Sequence, residues 1–129
     1  MEIYKTPKIL ILHFKRFKTS KISSIGSYYY TSGSHKIDNN VDFPIKALKL
    51  KNYIHSKEQE CYDYELFAVS NHYGGMNGGH YTAMCKNFND SKWYEFNDSR
   101  VEEIEEEKLV SEAAYVLFYK RIENNSGEN

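Results

Sequence analysis

The sequence has too few cysteines, too little net charge and too short apolar runs for several common classes of protein. Its 129 residues include only two cysteines, Cys61 and Cys85, which form neither a disulfide framework nor a metal site. Seventeen basic and eighteen acidic residues leave a formal net charge of −1, so the balance favours neither nucleic acid nor a membrane surface as partner. No apolar run approaches the roughly 20 residues of a membrane span, and nothing near Met1 resembles a signal peptide. We therefore expect no cofactor and a reducing setting, cytoplasmic or nuclear.

Aromatic residues are abundant, and they favour a sheet. The chain has twelve tyrosines and seven phenylalanines, which are bulky side chains that suit β-strands. Apolar patterning predicts strands over residues 8–17, 41–44, 48–50, 62–72, 80–86, 92–96 and 113–121. The expected fold is a single α+β domain over residues 1–129, with a mainly antiparallel sheet and one short helix.

Two of these segments carry a more specific interpretation. Residues 8–17 begin as an apolar stretch on both faces, which is typical of a central strand, and His13 within them is interpreted as a packed core or sheet histidine. The acidic run over residues 101–112 is interpreted as a short helix at residues 105–111 with a solvated face, or as an acidic docking surface.

Two further segments lack a clear period. Residues 18–40 are rich in Ser, Gly, Lys and Asn, and they form either a flexible insertion or a loop with a short hairpin tip at residues 28–30. Residues 122–129 are a polar tail.

The most informative stretch is glycine-rich and ends in a histidine. Four glycines fall within residues 74–79, and His80 follows at the start of a predicted strand. Glycines such as Gly78 and Gly79 let another chain pass close by, and histidine is the side chain best suited to move protons near neutral pH. If the turn after residue 86 centres near Asn89, His80 faces residues 97–100 on the next strand. Asn97 or Asp98 can then orient the imidazole as the third member of a nucleophile–His–acceptor arrangement, provided that the register is right.

These residues together resemble a known family. Residues 7–17, 41–44, 64–74, 78–83, 93–99 and 114–119 are similar, in order and spacing, to blocks of the ubiquitin-specific proteases, which are cysteine deubiquitinases. The resemblance covers nearly all of residues 6–121 and corresponds to the C-terminal half of the catalytic domain. It implies most of the palm subdomain of a papain-like fold, and ubiquitin and ubiquitinated proteins as partners.

The resemblance also implies roles for individual residues. His80 matches the general base, Asn97 matches its partner, and Asp98 can assist. His72 and Tyr81 match positions that contact the ubiquitin tail, and Gly78 and Gly79 match the narrow channel through which that tail passes. Residues 18–40 and 73–79 match the two loops that flank the tail.

The nucleophile that this family needs is missing from the matched blocks. The N-terminal cysteine box is absent, as are the paired Cys-x-x-Cys motifs that bind zinc. Cys61 leads into a predicted strand and Cys85 lies within one, whereas reactive cysteines often lie at helix N-termini, so both are interpreted as structural thiols.

We therefore expect an inert piece of a deubiquitinase, with self-association possible through uncovered sheet surface. Two alternatives remain open: a non-catalytic ubiquitin-binding scaffold that kept the fold, and a complete small β-protein whose His–Asn pair is coincidental.

Overall fold

The computed structural model describes residues 2–18, 23–25, 28–30, 35–55, 63–76 and 78–123. Within these ranges the strands are β1 (Ile9–His13), β2 (Phe17–Lys18), β3 (Ser23–Ile25), β4 (Tyr28–Tyr30), β5 (His35–Lys36), β6 (Leu48–Lys49), β7 (Asp63–Gly75), β8 (Gly78–Lys86), β9 (Trp93–Asn97), β10 (Arg100–Ile104) and β11 (Ala114–Arg121). Two 3-10 turns, Lys51–Tyr53 and Glu106–Lys108, are the helical elements of the described residues. None of the helices in these ranges has the length and apolar character needed to cross a bilayer.

Seven strands form one antiparallel sheet in the order β1-β11-β7-β8-β9-β10, with β6 beside the start of β7. The predicted mainly antiparallel sheet is confirmed. The strands β7, β8 and β9 follow one another through short reversals, so that residues distant from the core remain in strict register. Two small ladders, β2 with β5 and β3 with β4, lie within the insertion over residues 18–40.

The hydrophobic core lies against one face of the sheet. Leu66 and Val69 of β7 are fully buried there, and Leu117 of β11 is directly opposite Val69. Two buried tyrosines complete the core because each hydroxyl reaches a backbone carbonyl: Tyr64 donates to Pro7 at 2.6 Å and Tyr119 donates to Pro44 at 2.7 Å. Burial raises the pKa of Tyr119 to about 12, so the phenol stays protonated.

The opposite face of the sheet is apolar as well, but it is largely exposed. Along β1 the side chains alternate, so Leu10 and Leu12 pack on the core while Ile9 and Ile11 point away, with Ile11 57% exposed. At the other end of the sheet Val101 is 54% exposed. We call this face the open face, because side chains such as Ile11 and Val101 are exposed on it.

Several local predictions were wrong, for reasons of tertiary structure. The first strand is an edge strand rather than a central one. Of the two interpretations of His13, it is a sheet histidine and not a core one, exposed on β1 with its ring against Tyr115. Residues 41–44 form no strand, although Phe43 is buried. The start of the acidic run forms strand β10 at the edge of the sheet, where no strand was predicted, and exposed charged side chains such as Glu102 are common on edge strands that must not pair further.

The predicted helix at residues 105–111 is reduced to the turn Glu106–Lys108. The hairpin tip predicted at residues 28–30 is the strand β4, paired with β3. Much of the insertion between residues 18 and 40, and most of the tail from residue 124 onward, lie outside the described residues.

The exposed open face leads to a prediction about association. We expect the isolated chain to self-associate at tens of micromolar, because an uncovered apolar sheet face loses water-exposed area when it stacks on another copy. Ile11→Lys and Val101→Lys, which place charges on that face, should each shift the chain toward monomer in multi-angle light scattering. Tyr4→Lys is the matched control, since Tyr4 is 79% exposed and lies outside the sheet. A monodisperse wild-type monomer at these concentrations would contradict the prediction.

Candidate active site

His80 lies near the start of β8, at the end of the sheet farthest from the core. It is opposite Tyr73 of β7 in the ladder, and both side chains are exposed. The reversal between β8 and β9 is closed by Asn87 N–H donating to Lys92 O at 2.8 Å and by Asp90 Oδ1 accepting from Lys92 N–H at 3.0 Å. This turn sets Ala83 opposite Phe96, and continuing the same register places Asn97 opposite Thr82, two residues from His80 on the same face of β8.

The side chains of His80 and Asn97 meet at hydrogen-bond distance. His80 Nε2 lies 2.7 Å from Asn97 Oδ1. An amide oxygen only accepts, so this contact requires that Nε2 carry the ring proton. The other nitrogen, Nδ1, then has a free lone pair, and no other described residue is hydrogen-bonded to the ring. The geometry therefore orients a neutral imidazole with one basic nitrogen facing outward.

Asp98 approaches the same ring nitrogen from the turn after β9. Its carboxylate Oδ2 lies 3.8 Å from His80 Nε2, and the side chain is 81% exposed. Asp98 takes the left-handed conformation (φ 51°), which aspartate tolerates better than most residues, at the start of the two-residue connection to β10. At this exposure the carboxylate can stabilise a protonated His80 only modestly, by about 0–1 kcal/mol.

The other predicted site residues lie on the opposite face of the same hairpin. His72 pairs with Tyr81 across the β7–β8 ladder, and their ring centroids are 4.7 Å apart. Together with neighbouring residues they form a cleft of about 300 Å³, which we call the hairpin cleft. It is lined by Phe17, His72, Gly75, Met76, Gly78, Gly79 and Tyr81. The structure thus brings His72, Gly78, Gly79 and Tyr81 together, with His80 and Asn97 beside them on the other face.

Gly79 is required by close packing rather than by its backbone angles. A Cβ at this position would overlap the imidazole Nε2 of His72 and the carbonyl oxygen of Tyr73. At Gly78 an added Cβ would meet no atom within 4 Å. The wall of the cleft at Gly79 is therefore bare backbone, against which the ring of His72 lies.

His72 is buried among aromatic rings. Phe17 and Tyr115 contact its ring in addition to Tyr81, at centroid distances of 5.4 Å and 5.7 Å. Burial, and secondly the charge of Lys36, lower the pKa of His72 below its ordinary value. The Lys36 ammonium donates to the backbone carbonyl of His72 at 2.6 Å. His72 is thus a neutral packing residue of the cleft.

Cys85, the cysteine that the structure describes, is not placed to serve His80. Cys85 is five residues along the same strand, which is about 16 Å in extended chain, and alternation directs it to the other face. Burial raises the pKa of the Cys85 thiol, which lowers its thiolate fraction and reactivity. Cys61 lies outside the described residues. In the part of the chain that the structure describes, no three or more His, Cys, Asp or Glu side chains are grouped to hold a metal ion.

The sequence interpretation missed part of the cleft. Phe17 lines it although no role was predicted for this residue, and Gly75 and Met76 line it as members of the loop over residues 73–79 that was expected to flank the tail. The available signal for Phe17 was an aromatic residue at the end of the apolar block over residues 8–17, directly before the insertion. Sequence alone did not show that β5, at the end of the insertion, pairs with β2 and returns the chain beside Phe17.

Comparisons with known proteins match this chain over almost its whole length. The family model described as ubiquitin carboxyl-terminal hydrolase matches residues 1–119. The chain is 44% identical over 126 residues to ubiquitin carboxyl-terminal hydrolase 10 of Arabidopsis thaliana, covering 98% of this chain and 13% of that protein. It is 43% identical over 127 residues to the human ubiquitin carboxyl-terminal hydrolase 15, covering 98% and 12%. The chain thus spans about an eighth of the length of these relatives.

Solved structures show the same fold. A SAGA Ubp8/Sgf11/Sus1/Sgf73 DUB module bound to ubiquitin aldehyde is similar with a TM-score of 0.79 at 34% identity, over 96% of this chain and 26% of that chain. A SAGA DUB module bound to monoubiquitin gives a TM-score of 0.76 at 35% identity, over 96% and 25%. The sheet and its hairpins are therefore shared with enzymes of known structure.

The contrast between the two adjacent glycines gives a test of the cleft. Gly79→Ala should lower the free energy of unfolding by about 1–3 kcal/mol, because the methyl group overlaps His72 and the Tyr73 carbonyl. Gly78→Ala, with open space around it, should change that free energy by less than about 0.5 kcal/mol. Urea unfolding of the three proteins measures both values, and equal effects of the two substitutions would contradict the packing described for Gly79.

The lowered pKa of His72 gives a test in pH. The unfolded chain takes up a proton at His72 near the ordinary pKa of 6.5, whereas the folded chain takes it up only at lower pH. The stability that neutral His72 contributes is therefore complete above 6.5 and is lost as the pH falls below it toward the folded pKa. We expect His72→Phe, which keeps a ring but cannot titrate, to lose less unfolding free energy than wild type between pH 7.5 and 5.5. Equal losses of unfolding free energy in wild type and in His72→Phe would show that the pKa of His72 is the same in the folded and unfolded states.

Proposed function

The chain belongs to the ubiquitin carboxyl-terminal hydrolase family, and we propose that it supplies the proton-transfer half of a thiol isopeptidase that cleaves after the C-terminal glycine of ubiquitin. The observation that carries this proposal is the 2.7 Å contact between His80 Nε2 and Asn97 Oδ1. Because the chain spans about an eighth of its relatives, the activity belongs to a longer polypeptide.

His80 acts as general base and then as general acid. With Nε2–H held by Asn97, Nδ1 accepts the proton of a cysteine thiol, and the thiolate attacks the carbonyl carbon of the ubiquitin C-terminal glycine. A carbon–sulfur bond forms, the carbon–nitrogen bond breaks, and Nδ1–H returns the proton to the departing amine. Water, activated by the same nitrogen, then hydrolyses the thioester and releases the ubiquitin carboxylate.

Asn97 and Asp98 share the support of this imidazole. Asn97 fixes the tautomer and the ring plane without adding charge. The Asp98 carboxylate lies 3.8 Å from Nε2, so it stabilises the imidazolium that forms after the first proton transfer. The nucleophilic cysteine lies elsewhere in the longer polypeptide, since Cys85 is on the wrong face of β8 and neither cysteine of this chain lies in a cysteine box of the family's type.

The hairpin cleft receives the ubiquitin tail. Bare backbone at Gly78 and Gly79 admits a narrow extended segment, and the rings of His72 and Tyr81 contact its apolar side chains. Structural relatives bound to ubiquitin aldehyde and to monoubiquitin support ubiquitin as the ligand. Tyr81 of the cleft and His80 are consecutive in β8 but point to opposite faces, so the end of the tail reaches the imidazole around the exposed backbone of Gly78 and Gly79.

A chimera tests the proposed activity directly. The matching segment of the Arabidopsis thaliana relative is replaced by this chain, and hydrolysis of a fluorogenic ubiquitin C-terminal amide is measured. We expect the chimera to be active, His80→Ala to lower kcat by about a thousandfold, and Asn97→Ala by about a hundredfold. Asn97→Asp should stay within about tenfold of wild type, because a carboxylate accepts the same hydrogen bond.

The control and the contrary outcomes of this assay are specific. Asn89→Ala removes an exposed amide in the β8–β9 turn and should leave activity unchanged. An inactive chimera that still binds ubiquitin would favour the alternative function, a non-catalytic ubiquitin-binding scaffold. Full activity of the His80→Ala variant would contradict the assignment of His80 as the general base.

The isolated chain gives a second test. Incubated with ubiquitin that carries a C-terminal electrophile, it should form no covalent adduct detectable by intact-mass spectrometry, because burial raises the pKa of the Cys85 thiol and Cys61 is interpreted as a structural thiol. Iodoacetamide, which reacts with any accessible thiol, is the positive control for exposure. A ubiquitin adduct at Cys61 would overturn the assignment of the nucleophile to another part of the polypeptide.

A further inference from the structure

Tyr115 occupies a β-bulge in the central strand β11. Ala114 pairs with Asn71 of β7, but the next pair joins Val116 to Ser70, so Tyr115 has no partner in the ladder. A bulge adds one residue to a strand and redirects its side chain, and such bulges are enriched beside functional sites. This one lies directly beneath the hairpin cleft.

The ring of Tyr115 contacts four other rings from four different strands. The centroid distances are 4.5 Å to His13 of β1, 5.9 Å to Phe17 of β2, 5.7 Å to His72 of β7 and 6.4 Å to Tyr81 of β8. The contacts with His13 and Phe17 are edge-to-face, with interplanar angles of 83° and 82°. Three of these four residues line the cleft, yet Tyr115 itself does not. The ring of Tyr115 therefore packs against three residues of the cleft lining from outside the cleft.

Arg16 holds the bulge in place. Its Nε donates to the Ala114 carbonyl at 2.7 Å, and the backbone N–H of Phe14 donates to the Tyr115 carbonyl at 2.9 Å. These are the two carbonyls at which the ladder with β7 is interrupted. Arg16 is 3% exposed, and its Nη1 also donates to the carbonyls of Ile37 and Asn39. Because Phe17 directly follows Arg16 in the chain, the hydrogen bonds of Arg16 also fix the position of Phe17 in the lining of the cleft.

We propose that Tyr115 is a positioning residue for the hairpin cleft, and that its ring sets the spacing of Phe17, His72 and Tyr81 for an extended tail. That the tail is ubiquitin's rests on the proposed function. Edge-to-face ring pairs add stabilisation beyond their buried area, and the Tyr115 ring makes two such contacts besides two tilted ones. No described residue is hydrogen-bonded to the Tyr115 hydroxyl, so the aromatic ring alone carries the role.

The experiment compares three variants of the chain. Tyr115→Phe keeps the ring, Tyr115→Leu removes it, and Phe118→Leu is the matched control. Phe118 lies on the same strand, is likewise partly buried, and contacts Phe67 outside the cleft. Three readouts are taken: the unfolding midpoint, the NMR titration of the His72 imidazole, and perturbation of the amides of Gly78, Gly79 and Tyr81 by monoubiquitin. Ubiquitin lacking its two C-terminal residues is the ligand control.

The expected results separate positioning from general stability. Tyr115→Leu should raise the His72 pKa toward its ordinary value, since water reaches the ring, while the neighbouring charge of Lys36 and the phenol of Tyr81 are unchanged. Monoubiquitin should bind it about tenfold more weakly than wild type. Tyr115→Phe and Phe118→Leu should match wild type in both readouts, even if Phe118→Leu unfolds at a lower temperature.

The contrary outcomes are equally distinct. If the His72 pKa is the same in Tyr115→Leu as in Phe118→Leu, Tyr115 does not position the cleft. If wild type shows no perturbation with monoubiquitin, the proposed function of this segment is contradicted, while the His72 titration still decides the role of Tyr115. Should Tyr115→Leu fail to fold, nuclear Overhauser contacts in wild type decide instead: contacts from the Tyr115 ring to the rings of Phe17, His72 and Tyr81 support the proposal, and their absence overturns it.

Discussion

Successive side chains of a β-strand point to opposite faces, and the candidate site depends on this alternation at two neighbouring residues of β8. His80 points to the face that carries Asn97, where the imidazole is oriented by an amide oxygen. Tyr81 points to the other face, where it meets His72 and forms the cleft. A shift of one residue in the β7–β8 or the β8–β9 register would place His80 and Tyr81 against the wrong partners. The site therefore depends on the register more than on any single contact.

Local turn chemistry maintains this register far from the hydrophobic core. The β8–β9 reversal is closed by side-chain and backbone hydrogen bonds around Asp90, and the β9–β10 connection is shortened to two residues by the left-handed conformation of Asp98. Between β7 and β8, Gly74 has φ of 106° and approaches the backbone of Gly78 closely. Gly74 and Asp98 are residue types suited to these positive φ angles, and each turn leaves the adjoining strands in line.

The face that bears the cleft is also the open face. Apolar side chains such as Ile11 and Val101 are half exposed there, whereas the opposite face holds the fully buried Leu66 and Leu117. A sheet that is apolar on both faces but covered on one is typical of a part that packs against something else. The chain spans about a quarter of the matched solved structures.

The sequence predicted features that depend on local chemistry and did not predict those that depend on distant packing. The strands β7, β8 and β9, their turns and the approach of His80 to Asn97 followed from alternation and turn residues within about 35 positions of one another. The edge position of β1 could not be predicted, because Ile9 and Ile11 are as apolar as any buried strand residue. Strand β10 was not predicted because glutamate is depleted in strands. The bulge at Tyr115 arises from pairing with β7, more than forty residues away.

The protonation of the His80 ring tests the central claim most directly. Imidazole ¹⁵N shifts, measured above the pKa of the ring, identify which nitrogen carries the proton. A register that places His80 on the face of Asn97 predicts a proton on Nε2 and a bare Nδ1, with the Nε2 signal changed by Asn97→Ala and unchanged by Asn89→Ala. A proton on Nδ1, or an Nε2 signal that is unchanged in Asn97→Ala, would contradict the account.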